Sequence, residues 1–114
     1  MLNWIPARLT AWLAVLVSAM NSRAMSRIVR SVIVLLRDGH KHPSPNSGRP
    51  EAAMAGILGV QLGGTNFYDG VPHELPRLGE DVETLSVKHI GRAKWIITMV
   101  YLLALVGALI YLSR

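Results

Sequence analysis

From Trp95 to Leu112 the chain runs 18 residues without a charged side chain. A helix of that length is about 27 Å long, close to the hydrocarbon thickness of a bilayer. The pattern predicts a membrane helix over about 87–112, with Lys88, Arg92 and Lys94 ahead of its apolar run, Trp95, Tyr101 and Tyr111 mostly toward its ends, and Arg114 closing the chain. A second apolar block, Leu9 to Met20, supplies only 12 uncharged residues. Extended back to Pro6 as the first helical residue it takes in Arg8, and predicts a shorter membrane helix over about 6–20. Residues 22–37 carry another period. Arg23, Arg27, Arg30 and Arg37 fall in one arc at about 100° per residue, while Ile28, Val29, Val32, Ile33, Leu35 and Leu36 fill the rest. This is an amphipathic helix suited to a membrane surface, its arginines read as a solvated or headgroup-facing stripe.

Periodicity stops at Asp38. Gly39, Pro43, Pro45, Gly48 and Pro50 punctuate a polar loop over 38–50. Pro50 fits the N1 position of a helix over about 51–62, in which Ala55, Gly59 and Gly63, and also Ala52 and Gly56, recur every four residues as a small face for close helix packing. Gly63-Gly64 ends it, and 63–85 reads as a Gly-, Pro- and acid-containing loop. The expected fold is an all-α integral membrane protein, with one clear and one shorter membrane helix joined by the amphipathic helix, the polar loop and the small-residue helix.

Composition changes this picture little. The 114 residues allow one domain, and 51% hydrophobic content with 17% charge excludes disorder throughout. The net charge of +5 could signal nucleic acid, but 10 of the 12 Lys and Arg lie between Asn21 and Lys94. If both apolar blocks span, the positive-inside rule puts 21–94 in the cytoplasm of an inner-membrane protein with both termini outside, and the basic excess then needs no nucleic acid. In a rival topology the blocks at 9–20 and 25–36 fold back as a re-entrant pair, bringing Arg8 to the side of Asp38. A signal peptide ending at Val17-Ser18-Ala19 is opposed by the arginines that follow it. Without cysteine there is no disulfide, thiolate zinc site or cysteine nucleophile.

The chemistry is concentrated between Asp38 and Glu51. Asp38, His40, Lys41, His42, Ser44, Asn46, Ser47, Arg49 and Glu51 form a set able to hold phosphate through cationic and hydroxyl donors and magnesium through carboxylates. Glu51, in a first helical turn, suits metal or nucleophile handling or simple capping. His40 and His42 could point the same way on an extended segment, but no third ligand stands at zinc spacing, so no zinc is expected.

The run Asp38 to Gly64, DGHKHPSPNSGRPEAAMAGILGVQLGG, resembles the signature of the CobD/CbiB family of cobalamin biosynthesis proteins, the adenosylcobinamide-phosphate synthases. The resemblance extends back through Asn3-Trp4-Ile5-Pro6-Ala7-Arg8-Leu9-Thr10 and forward through Tyr68, Gly70, Pro76 and Gly79, covering nearly the whole chain. Arg49 departs from it, since an aromatic residue is more usual there. The length departs too, matching only the C-terminal portion of a several-fold longer protein. The resemblance implies a multi-pass membrane enzyme that joins adenosylcobyric acid to aminopropanol, or its phosphate, through an amide bond with ATP and magnesium. It implies partners in the corrinoid, the amino alcohol, the lipid bilayer and a missing N-terminal half. Lys41 and His42 are then expected on phosphate, Ser44 and Asn46 as orienting hydrogen-bonders, and Asp38 and Glu51 on magnesium or the amine proton, with Asp38, His42 and Glu51 as the catalytic set. Two other readings are a catalytically inactive small membrane interaction protein on the same scaffold and a secreted basic peptide.

Overall fold

In the computed structural model the described residues are 3–21 and 25–114. Arg23, one of the four arginines of the expected stripe, lies outside them. The elements are α1 (Trp4–Asn21), α2 (Met25–Asp38), α3 (Pro45–Leu58), β1 (Leu62–Tyr68), β2 (Val71–Leu78) and α4 (Val87–Leu112). The fold is mostly helical, as expected, with one antiparallel two-stranded sheet that the all-α expectation omitted.

Helix α3 is the hub. Its small face, Ala52, Ala53, Ala55 and Gly56, is buried, because alanine and glycine let neighbouring backbones come close. Ala53 packs with Ala11, Val15 and Leu35, which joins α1, α2 and α3. Ile57 and Leu58 meet Ala14, Val17, Ile96 and Val100, which joins α1, α3 and α4. Thr10 and Ala14 face Pro50, Glu51 and Met54, so α1 and α3 run parallel. Helix α2 returns antiparallel between them, with Val34 against Ala52 and Ala55.

Three expectations are corrected. The helix expected over 51–62 begins at Pro45, with Ser44 as its N-cap in extended conformation. Pro45 therefore takes the first-turn position expected for Pro50, which sits inside the helix. There it forfeits the bond that an N–H would make to the Asn46 carbonyl, and its ring crowds that carbonyl. The loop expected over 63–85 contains a hairpin, with Leu62 opposite Leu78 and Tyr68 opposite Val71. Asp69 (φ 52°) and Gly70 (φ 77°) make its tight turn, the positive-φ geometry that matches strand twist. Finally, Arg30 departs from the solvated stripe, while Arg27 and Arg37 are exposed as expected. The Arg30 Nε donates to the Gly56 carbonyl at 2.9 Å, near the α3 C-terminus, where a cation is favoured. Arg37 binds Asp38 and Glu80.

Helix α4 starts from Ser86, which caps it together with His89. His89, Ile96 and Val100 are buried, whereas every residue from Tyr101 to Arg114 is exposed. Its 26 residues are long and apolar enough to cross a membrane, at about 39 Å. The apolar part of α1, Trp4–Met20, is shorter.

Candidate active site

The segment between α2 and α3 is held by one buried carboxylate. Asp38 ends α2 with its side chain 1% exposed. The Arg37 guanidinium grips it as a fork, Nε to Oδ1 at 2.9 Å and Nη2 to Oδ2 at 2.8 Å. Lys41 Nζ lies 2.7 Å from Oδ1, and the Gly79 backbone N–H donates to Oδ2 at 2.9 Å. The Arg37 and Lys41 side chains and the Gly79 amide hold this carboxyl well below the usual carboxylate range, against the opposing effect of its burial. Gly79 can approach because it has no side chain: at φ 90° a Cβ would stand 2.6 Å from the Val60 carbonyl oxygen and 2.8 Å from the Ala55 Cβ. Asp38 therefore ties α2 to the end of β2.

Its acceptor positions are committed to these donors, and Lys41 is committed to Asp38. Asp38 was expected on magnesium or the amine proton and Lys41 on phosphate; in this structure the two pair with each other. Among the described residues no three His, Asp or Glu side chains gather in a group that could hold a metal ion.

His42 and Glu51 do come together, with Nε2 and Oε2 3.6 Å apart. The Ser44 N–H donates to His42 Nδ1 at 2.9 Å, which in the neutral imidazole leaves the proton on Nε2, facing Glu51. Gly48 makes this placement possible, since a Cβ there would stand 2.6 Å from the His42 Cβ and 2.8 Å from the Gly39 carbonyl oxygen. The Ser44 hydroxyl donates to the Ser47 hydroxyl at 3.3 Å, and Asn46 is half-buried in the first turn of α3. Ser44 makes no side-chain cap, so the first backbone N–H groups of α3 remain available to an acceptor. His40 is exposed.

Glu51 and Thr10 also line an apolar groove of about 260 Å³ with Ala14, Met54, Ile96 and Val100, between α1, α3 and α4. Of the 38–51 segment, Pro50 and Glu51 reach this groove, whose surface is apolar. A carboxylate beside a histidine there can accept a proton or hold an ammonium, and the hydroxyls and helix N–H groups can bind an anion.

Two features escaped sequence reasoning. Arg49 Nε is buried without a hydrogen-bond partner. Buried His89 takes the Ser86 N–H on Nδ1 at 3.0 Å and places Nε2 3.3 Å from Glu83, and His89 and Lys88 hold the Glu83 carboxyl below its usual range. Ser86 three residues before His89, at a helix start, was the available signal for this second cluster.

A helical protein with a polar site between two parallel helices and one strongly apolar terminal helix is the class that fold and site define. The profile of the CobD/CbiB proteins matches residues 1–97, and the chain belongs to that family. It is 40% identical over 111 residues to the cobalamin biosynthesis protein CobD of Clostridium perfringens, covering 95% of this chain and 33% of that protein. Identity to the CobD protein of Leptospira interrogans is 44% over 88 residues, 77% of this chain and 27% of the relative. For the Geobacter metallireducens CobD protein it is 49% over 87 residues, 74% and 26%. The chain thus spans about a quarter to a third of the length of these relatives. No solved structure matches it.

Proposed function

We propose that this chain supplies the C-terminal part of a membrane-bound synthase of cobalamin biosynthesis, which forms the amide between adenosylcobyric acid and aminopropanol or its phosphate to give adenosylcobinamide or its phosphate. The observation that carries the reading is the His42–Glu51 pair, whose Glu51 also borders the apolar groove, within a segment matched by the CobD/CbiB family.

Joining a carboxylate to an amine requires one carboxylate oxygen to leave and the ammonium to lose its proton. ATP with magnesium supplies the leaving group when bound. The donors of the loop fit the phosphate part of that requirement: the Ser44 and Ser47 hydroxyls, the Asn46 amide and the N–H groups of the first turn of α3. Glu51 is the one carboxylate of the 38–51 segment not already enclosed by cations, and it suits a magnesium ion that keeps most of its ligands from phosphate and water. Where the amine approaches, Glu51 holds the ammonium and takes its proton, with the His42 Nε2–H standing beside that carboxylate. Asp38 and Lys41 position the loop. The apolar groove excludes water from the reacting carboxyl group.

Helix α4 spans the cell membrane on this reading, because Leu102, Leu105, Val106, Leu109 and Ile110 are all exposed, a row that water would not favour. Lys41 and Lys88 then belong to the cytoplasmic side and Arg114 to the outside. The remaining two thirds of a family-length protein complete the enzyme as a multi-pass assembly. The test is co-expression of this chain with and without a family N-terminal half in cells lacking the synthase. Restoration of corrinoid completion by the pair alone is expected. Failure of the pair at normal membrane abundance overturns the synthase reading in favour of an inactive interaction protein.

A further inference from the structure

Arg8 and Arg49 are cations on facing helices, and neither has an acidic partner among the described residues. In the parallel packing of α1 and α3, Ala11 meets Ala53. Arg8 lies one turn before Ala11 and Arg49 one turn before Ala53, so the two side chains start from neighbouring positions at the same end of the α1–α3 pair. Arg8 lies flat on the Trp4 ring, 3.7 Å from its centroid, and donates one N–H to the Trp4 carbonyl at 3.3 Å. Arg49 lies along the end of α2, its Cδ 3.2 Å from where a Gly39 Cβ would stand. Its Nε is buried and bonds to nothing. Among the described residues every ion pair goes to Asp38, Glu51, Glu80 or Glu83, and none uses Arg8 or Arg49.

Two like charges side by side repel, and a buried guanidinium N–H without an acceptor is costly. A tetrahedral oxyanion relieves both, because each guanidinium offers a planar fork of donors and a phosphate offers an oxygen edge to each. We propose that Arg8 and Arg49 together bind a phosphate oxyanion at the α1–α3 junction. Lys41, the phosphate cation that the sequence suggested, is paired with Asp38, whereas Arg8 and Arg49 enter no ion pair among the described residues. The phosphate belongs to a soluble ligand or to a lipid headgroup, and both present the same oxygens. This goes beyond the synthase reading, since Arg49 stands where the family more usually carries an aromatic residue, and its test measures binding without turnover, so the two fail separately.

The full 114-residue chain is purified in neutral detergent and titrated with inorganic phosphate by calorimetry, then reconstituted in phosphatidylcholine nanodiscs with and without one fifth phosphatidic acid. Arg8→Gln and Arg49→Gln are each expected to weaken phosphate binding about tenfold or more, while Arg114→Gln leaves it unchanged. Should Arg49→Gln fail to fold, protection of the unmodified protein answers instead: phosphate should shield Arg8 and Arg49, read by peptide mass spectrometry, from an arginine-specific dicarbonyl reagent. A soluble ligand is indicated if phosphatidic acid leaves the phosphate affinity unchanged, and a lipid headgroup if phosphatidic acid alone protects both arginines. Binding that survives both substitutions, or an absence of protection by either phosphate source, overturns the proposal. So does Arg49 that is already unreactive, without phosphate, once the N-terminal half is co-assembled, because a protein carboxylate then occupies it.

Discussion

Replacing Asp38 separates a structural strut from a metal ligand. Asp38→Ala removes the acceptor of three partners. The Arg37 and Lys41 side chains are 44% and 43% exposed, so both regain water, and each lost contact costs about 1 kcal/mol or less. The Gly79 N–H is different. It is buried behind the Asp38 carboxylate, and an unsatisfied buried donor costs about 1–3 kcal/mol. The total for Asp38→Ala is about 3 kcal/mol. Asp38→Asn keeps an oxygen for Gly79 and should cost about 1–2 kcal/mol. Because the folded carboxyl is held below its ordinary value by Arg37, Lys41 and Gly79, its contribution is fully present above the unfolded value of about 3.9. It is lost as pH falls below that toward the folded value. The gap between wild type and Asp38→Asn should thus be constant from pH 7 to about 5 and narrow below about 4. Denaturant unfolding in neutral detergent, followed by circular dichroism, measures it. If Asp38→Ala unfolds within about 0.5 kcal/mol of wild type, the size of an ordinary surface substitution, while synthesis in the assembled enzyme is abolished, Asp38 is a ligand and the strut assignment is wrong.

Gly48→Ala should displace His42, since the new methyl meets the His42 Cβ and the Gly39 carbonyl at 2.6 and 2.8 Å. An activity loss of about tenfold or more at unchanged membrane abundance is expected, in line with an ångström-scale misplacement of an active-site group. His42→Ala and Asn46→Ala should each lower corrinoid synthesis about a hundredfold or more in the assembled enzyme without removing the chain from the membrane. Arg27→Ala, on the exposed face of α2, should change it little, and near-normal turnover of both loop variants would reduce the loop to a connector.

Long periodic stretches were legible because their burial follows from pattern alone. Helix α4 was expected over 87–112 and forms over Val87–Leu112. The expected 6–20 and 22–37 helices lie within a few residues of α1 and α2. The hairpin was missed because Pro72 and Pro76, with Gly63 and Gly64, argue against a strand. An isolated pair of strands tolerates them, having no third strand to ask for the missing N–H, and Asp69-Gly70 after Phe67-Tyr68 was the turn signal that outweighed them. The start of α3 was misplaced because two prolines compete for one role, and Ser44 before Pro45 decides it. The chemistry-rich segment was legible as a segment, but partner choice within it was not. Asp38 and Glu51 are both carboxylates in sequence, and only the packing of β2 against α2 turns the first inward onto Gly79 while leaving the second beside His42. Likewise Arg30 and Arg49 look alike until one reaches the α3 carbonyls and the other does not.

The helix directions bear on how the chain meets the bilayer. A straight crossing by 6–20 would put Asn3 on one side of the membrane and the loop with Ser47 on the other. In the fold α1 and α3 run parallel, with Thr10 beside Pro50 and Glu51, and both Asn3 and Ser47 are exposed at the same end of this pair. Such a unit brings both ends of the α1–α2 hairpin to one level, as the folded-back alternative requires. The chain has no native cysteine, so single Asn3→Cys and Ser47→Cys variants report without background. With a membrane-impermeant maleimide on intact cells and again after permeabilisation, the two positions should change reactivity together. A cysteine at position 3 labelled from outside while one at 47 is shielded would require α1 to cross alone, which the contact of Ala11 with Ala53 forbids; that result would refute the packing of α1 on α3, and with it the shared position of Arg8 and Arg49.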